Sequence, residues 1–132
     1  MFNELGNLPK LINLPANPIE VKWKVEEQHE SNDWSLTAML KFETRDFQSI
    51  LEKSTKHEET MKPKIFNQYL FEWLPKSIYD QYQKGASSEF IAVDAYQINP
   101  EAFVDINKSP LVNGNIIVFE KENILLLHLF TM

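Results

Sequence analysis

Residues 124–130 read Ile-Leu-Leu-Leu-His-Leu-Phe. Side chains alternate along an extended strand, so Ile124, Leu126, His128 and Phe130 would point one way and Leu125, Leu127 and Leu129 the other. A strand that is apolar on both sides has to be covered on both sides. This segment is therefore read as a middle strand of a sheet, shielded above and below. Burying each Leu, Ile or Phe is worth ~1.5–3 kcal/mol, and the segment holds six of them. A whole domain is stable by only ~5–15 kcal/mol, so the rest of the fold has to be organised around this strand.

The preceding segment "NIIVFE" (115–120) is also two-sided, with Ile116 and Val118 against Ile117 and Phe119. It forms a hairpin with 124–130 through a tight turn over Lys121–Asn123. "EFIAVDAY" (89–96) reads as a third such strand, interrupted by Asp94. Earlier in the chain the pattern is one-sided. "IEVKWKVE" (19–26) alternates Ile19, Val21, Trp23 and Val25 with charged residues, and "WSLTAMLKFE" (34–43) repeats it with Trp34, Leu36, Ala38, Leu40 and Phe42. These two read as an antiparallel hairpin with one dry face and one wet face.

Helical signals lie between the two strand groups. Thr44 reads as an N-cap, with Asp46 in the first turn and Phe47, Ile50 and Leu51 inward. "KIFNQYLFEWL" (64–74) has helical spacing, with Ile65, Phe66, Tyr69, Leu70, Trp73 and Leu74 on one broad stripe. Pro75 opens a further helix, "PKSIYDQYQK", closed by Gly85. "NPEAFVD" (99–105) reads as a short helix capped by Asn99. Residues 1–18 carry three prolines among five Leu or Ile residues, which implies an extended arm lying on the domain, not a helix. The expected architecture is α+β: an arm over 1–18 and a single domain over 19–132. That domain is a mainly antiparallel five-stranded sheet in the order β-β-α-α-α-β-β-β, with helices packed on one face and the sheet free to curl. The second face then needs the arm, the curl or another protein to cover it.

Composition limits function. The chain has 132 residues, no cysteine and a net charge of −6, and Arg45 is its sole arginine. Thiolate chemistry and disulfides are excluded. An acidic chain with one arginine is a poor reader of nucleic acid or of an anionic membrane. The N-terminal residues lack the cationic start and apolar run of a signal peptide, and no apolar stretch reaches the ~18 residues of a membrane helix. A soluble, cytoplasmic protein is expected.

Chemistry-bearing motifs are sparse. His57-Glu58-Glu59-Thr60-Met61 lacks the second histidine that a zinc-protease helix requires. The glycines Gly6, Gly85 and Gly114 make no phosphate-binding loop. No cofactor or metal is expected. His29 and His57 read as solvated loop residues, and His128 as a neutral core histidine bonded to a neighbouring carbonyl. An Asp94–His128 acid–base couple is the enzymatic alternative. A small apolar ligand held between curled sheet and helices is the binding alternative. The leading expectation is a non-catalytic protein-interaction module, an inhibitor or immunity-type protein that blocks a basic partner, with self-association also open. Its contact residues would be Phe71, Tyr79 and Tyr82, with Glu72 and Asp80 as an acidic rim, since aromatic side chains ringed by charge suit an interface centre.

Overall fold

The structure, a computed structural model, describes residues 1–28, 33–56, 62–82 and 89–131. The strands are β1 (Glu20–Gln28), β2 (Asp33–Lys41), β3 (Lys64–Phe66), β4 (Phe90–Ala92), β5 (Tyr96–Ile98), β6 (Asn113–Phe119) and β7 (Ile124–Phe130). The helices are α1 (Thr44–Glu52), α2 (Asn67–Glu72) and α3 (Lys76–Tyr79). Five strands form one antiparallel, open sheet in the order β1-β2-β7-β6-β5, while β3 and β4 make a separate two-stranded ribbon. The fold class is the expected α+β arrangement, and β7 occupies the centre of the main sheet.

Each face of β7 enters its own core. Leu125, Leu127 and Leu129 pack with Leu36, Ala38, Leu40, Phe47 and Phe103 on one side. Ile124 and Leu126 pack with Met39, Leu70, Trp73 and Ile78 on the other. Helices α2 and α3 cover this second face, as the spacing of their apolar residues implies. The first face is covered by α1 together with residues of the first eighteen, of which Leu8 and Ile12 are fully buried. Asn13 ties that segment across the molecule, its backbone N–H donating to Phe103 O at 2.9 Å and its side chain to Ala102 O at 2.8 Å.

Local structure departs from the periodicity in several places. Lys64–Phe66 is a strand, not the first turn of a helix, and α2 begins at Asn67. Pro63 immediately precedes this segment, and its carbonyl accepts the Val93 N–H at 2.9 Å. That pairing, continued through Ile65 opposite Ile91, offers the backbone of 64–66 a partner that a free helix end lacks. Ile65 is buried whether the segment is strand or helix, so the helical stripe could not tell the two apart. The expected strand 89–96 is divided between two sheets. A turn at Asp94, closed by Ala95 N–H to Val93 O at 3.0 Å, moves the chain from ribbon to main sheet. Asp94 interrupts the apolar run because the strand ends there.

Helix α3 ends at Tyr79, and Pro75 is its cap, not its first residue; Gly85 lies outside the described residues. Residues 99–105 form a turn with Phe103 and Val104 N–H groups donating to Pro100 O, not a helix. The cap of α1 is Glu43, one residue before the expected Thr44, whose hydroxyl instead accepts from Asn123 Nδ2 at 2.9 Å. The final hairpin closes through a 3-10 turn over Glu120–Glu122, with Asn123 at φ +57°. Strand β2 is also less one-sided than its pattern, because Thr37 and Met39 are buried beside β7.

Candidate functional site

The residues expected to contact a partner sit along the outer edge of the α2–α3 layer. Phe71, Tyr79 and Tyr82 are half-buried against the second core, and Glu72 and Asp80 are exposed. Phe71 and Tyr79 place their ring centroids 5.8 Å apart. Asp80 pairs with Lys76 one helical turn away, and that contact raises the Lys76 ammonium above its usual pKa of 10.5. Tyr82 reaches furthest: its hydroxyl accepts the Asp94 N–H at 2.8 Å, fixing the turn where the chain leaves the ribbon.

Tyr82 also forms one wall of a cavity of about 220 Å³, together with Ile78, Tyr96 and the carboxylate-bearing Asp94, Glu120 and Glu122. One lysine, Lys121, lies among them. The Tyr96 hydroxyl donates to Glu120 Oε1. Burial, reinforced by that carboxylate, pushes the Tyr96 phenol above its usual value of 10.0. The side of the aromatic edge next to Tyr82 is thus acidic, by virtue of residues from the β4–β5 turn and the β6–β7 hairpin that helical spacing could not connect to Tyr82.

A second site lies on the sheet face that carries Ile117 and Leu126. Register places Lys24 opposite Thr37, Thr37 opposite His128, and His128 opposite Asn115. These four make a polar row across β1, β2, β7 and β6. Thr37 Oγ1 is 3.4 Å from His128 Nδ1, and Asn115 Nδ2 donates to Gln97 Oε1 at 2.9 Å. Lys24 pairs with Glu26 and lies 5.1 Å from the centre of the Tyr69 ring. The Glu26 bond raises the Lys24 ammonium above 10.5, against the opposing effect of burial. His128 is exposed, not the core histidine that its apolar strand implied, and its ring centroid lies 5.7 Å from that of Phe130. Desolvation holds its pKa below the usual 6.5, and the attraction of Glu26 only partly offsets this. Burial of the ring thus favours its neutral form.

Between this row and the β3–β4 ribbon lies an open-mouthed cleft of about 140 Å³. Ile65, Ile117 and Leu126 line its apolar part, and Phe66, Tyr69 and Phe90 its aromatic wall. Phe66 and Phe90 are opposite residues of the ribbon whose ring centroids lie 4.2 Å apart, and Tyr69 meets Phe66 edge-on at 5.9 Å. Strand β6 approaches β7 here through Gly114, at φ +145°, where a Cβ would fall 2.0 Å from His128 O. Only glycine fits that close approach.

The sequence singled out His128 but not its neighbours in the row. Asp94 and His128 do not form a couple: they line different cavities, and the Asp94 carboxylate lies 3.6 Å from Lys62 Nζ. His29 and His57, with the Glu58-Glu59 pair, lie outside the described residues. Among the described residues no three His, Asp or Glu side chains are grouped to hold a metal ion, and no helix is long and apolar enough to cross a membrane. No protein-family model, curated protein or solved structure matches this chain, so its site stands on geometry alone.

Proposed function

We propose that this chain is a non-catalytic protein-interaction module of the cytoplasm that blocks a basic partner, in the manner of a small acidic inhibitor or immunity-type protein. The observation that carries the reading is the continuity of the Phe71–Tyr79–Tyr82 edge with the acidic cavity at Asp94, Glu120 and Glu122. A partner's arginine or lysine could lay its aliphatic stem along Ile78 and the tyrosine rings while its head meets the carboxylates. Charged hydrogen bonds of this kind are the stronger ones. The net charge of −6 would speed encounter with a basic surface at low salt. Glu72 and the paired Asp80 supply the outer rim.

The reading is tested by titrating the chain with a capped arginine peptide and with its uncharged citrulline twin, followed by NMR. Arginine-specific shifts at Tyr82, Tyr96 and Glu120 are expected, weakening as salt rises and weakening further in Glu120→Gln. Phe71→Ala should lower capture of a cognate basic protein while the chain stays folded. Equal response to both peptides would end the proposal, and unfolding of Phe71→Ala would return that residue to the core.

A further inference from the structure

We propose a second binding site, separate from the acidic cavity: the cleft between the polar row and the β3–β4 ribbon takes a small ligand with one flat aromatic ring carrying a neutral hydrogen-bonding group, such as a carboxamide or a hydroxyl. Three independent features converge on that class. The first is size. At about 140 Å³ the cleft approaches the ~150 Å³ of an apolar cavity that holds one benzene ring, and a two-ring ligand would overfill it.

The second is the wall. Phe66 and Phe90 remain 42% and 43% exposed on a ribbon whose Ile65 is buried. Two large aromatic rings in contact, tilted by 33° to each other at the mouth of the cleft, present apolar aromatic surface to whatever enters. A flat ring gains more there than a puckered one of equal size, because offset and edge contacts between aromatic rings add to simple area burial.

The third is the polar row itself. Thr37 is only 5% exposed, on the sheet face that also carries the apolar Met39, Ile117, Ile124 and Leu126. Its nearest polar partner is a 3.4 Å contact with His128 Nδ1, a long one by hydrogen-bond standards. Asn115 commits its amide nitrogen to Gln97, which leaves the carbonyl oxygen to offer. Hydroxyl, neutral imidazole and amide oxygen together supply both donors and acceptors but no formal charge. Among the described residues that line the cleft, the charged one, Lys64, is exposed at its mouth, and Lys24, at the far end of the row, is already paired with Glu26. A neutral substituent with both donor and acceptor character matches this set; an ionised one would give up hydration without a buried counter-charge.

The test is a titration of the full chain with benzamide and phenol, followed by amide NMR shifts, with cyclohexanecarboxamide and benzoate as controls. Saturable shifts centred on Thr37, Asn115, Ile117 and His128 are expected for benzamide or phenol, with both controls binding more weakly. Thr37→Val keeps the side chain's shape and removes its hydroxyl, and should weaken binding roughly fivefold, the scale of one neutral hydrogen bond. Phe90→Ala, at an exposed position, should weaken it independently. Absence of saturable shifts, tighter binding of benzoate than of benzamide, shifts centred on Tyr82 and Tyr96, or unchanged affinity in both variants would each overturn the assignment.

Discussion

The two faces of β7 belong to one strand but to different environments. On one, Leu125, Leu127 and Leu129 are fully buried beneath α1 and the Leu8–Ile12 segment. On the other, Ile124 and Leu126 are buried beneath α2 and α3, but the third position is His128, and the cover there gives way to a cleft. The difference lies in what stands over each strand end. The first face is closed by chain that returns repeatedly across it, through Asn13 to Ala102 and Ser109 Oγ to Leu11 O at 2.7 Å. The second is closed by two short helices and a three-residue ribbon, which do not reach the whole sheet. The cleft opens on the second face, and the acidic cavity lies where Tyr96 and Val118 of the first core meet Ile78 and Phe119 of the second.

Removing the shared strand is the most severe way to break this comparison. A chain stopping at Asn123 loses five large apolar side chains from the two cores, and the half-buried Phe130 with them, a loss on the order of the whole stability of a domain. It should be unfolded by circular dichroism, and a compact, soluble product would refute the central position of β7. Next in size is a paired test of the two faces. Leu127→Ala, in the closed core, should cost about 2–5 kcal/mol in urea denaturation. Leu126→Ala should cost less, since that side chain already borders a void and forfeits fewer contacts. Equal losses would mean that the two faces are packed alike.

Gly114→Ala probes the seam between β6 and β7. With a Cβ 2.0 Å from His128 O, the strands must shift or the backbone must leave its left-handed conformation, at about 1–3 kcal/mol. The disturbance should register in the NMR signals of Thr37 and His128 before those of Leu127. The smallest effect concerns pH. Because His128 has a folded-state pKa below its unfolded value of 6.5, the unfolded chain binds the proton more readily. Stability from this group is fully present above pH 6.5 and declines as pH falls through the depressed pKa. His128→Gln should flatten that part of the urea-stability profile, and an unchanged slope would show that the imidazole does not contribute.

The central position of β7 was legible because two-sided hydrophobicity has few solutions in a single domain. So was the aromatic layer, since Leu70, Trp73 and Ile78 are buried wherever the helix boundaries fall. The ribbon was not. A buried Ile65 followed by Tyr69 and Trp73 satisfies helical spacing, and three residues of strand leave no period of their own to detect. The polar row was hidden for another reason. Thr37, His128 and Asn115 are scattered along the chain and meet only through the pairing of β2 with β7 and of β7 with β6. A single sequence does not state which strands are neighbours or in what register. Tyr82 was chosen for its helix, but what gives it interest is Asp94, Glu120 and Glu122, brought beside it by a turn and a hairpin.

The central seam has a consequence for how the molecule comes to exist. Thr37 and His128, side by side in the sheet, are 91 positions apart in sequence. During synthesis the first hairpin must wait, with Leu36, Ala38 and Leu40 lacking their neighbour, until residues 124–130 have been made. Contacts that close such long loops slow folding and leave unpaired strand edges exposed in the interval. Refolding from denaturant should therefore be slow for a domain of this length and increasingly prone to aggregation as concentration rises.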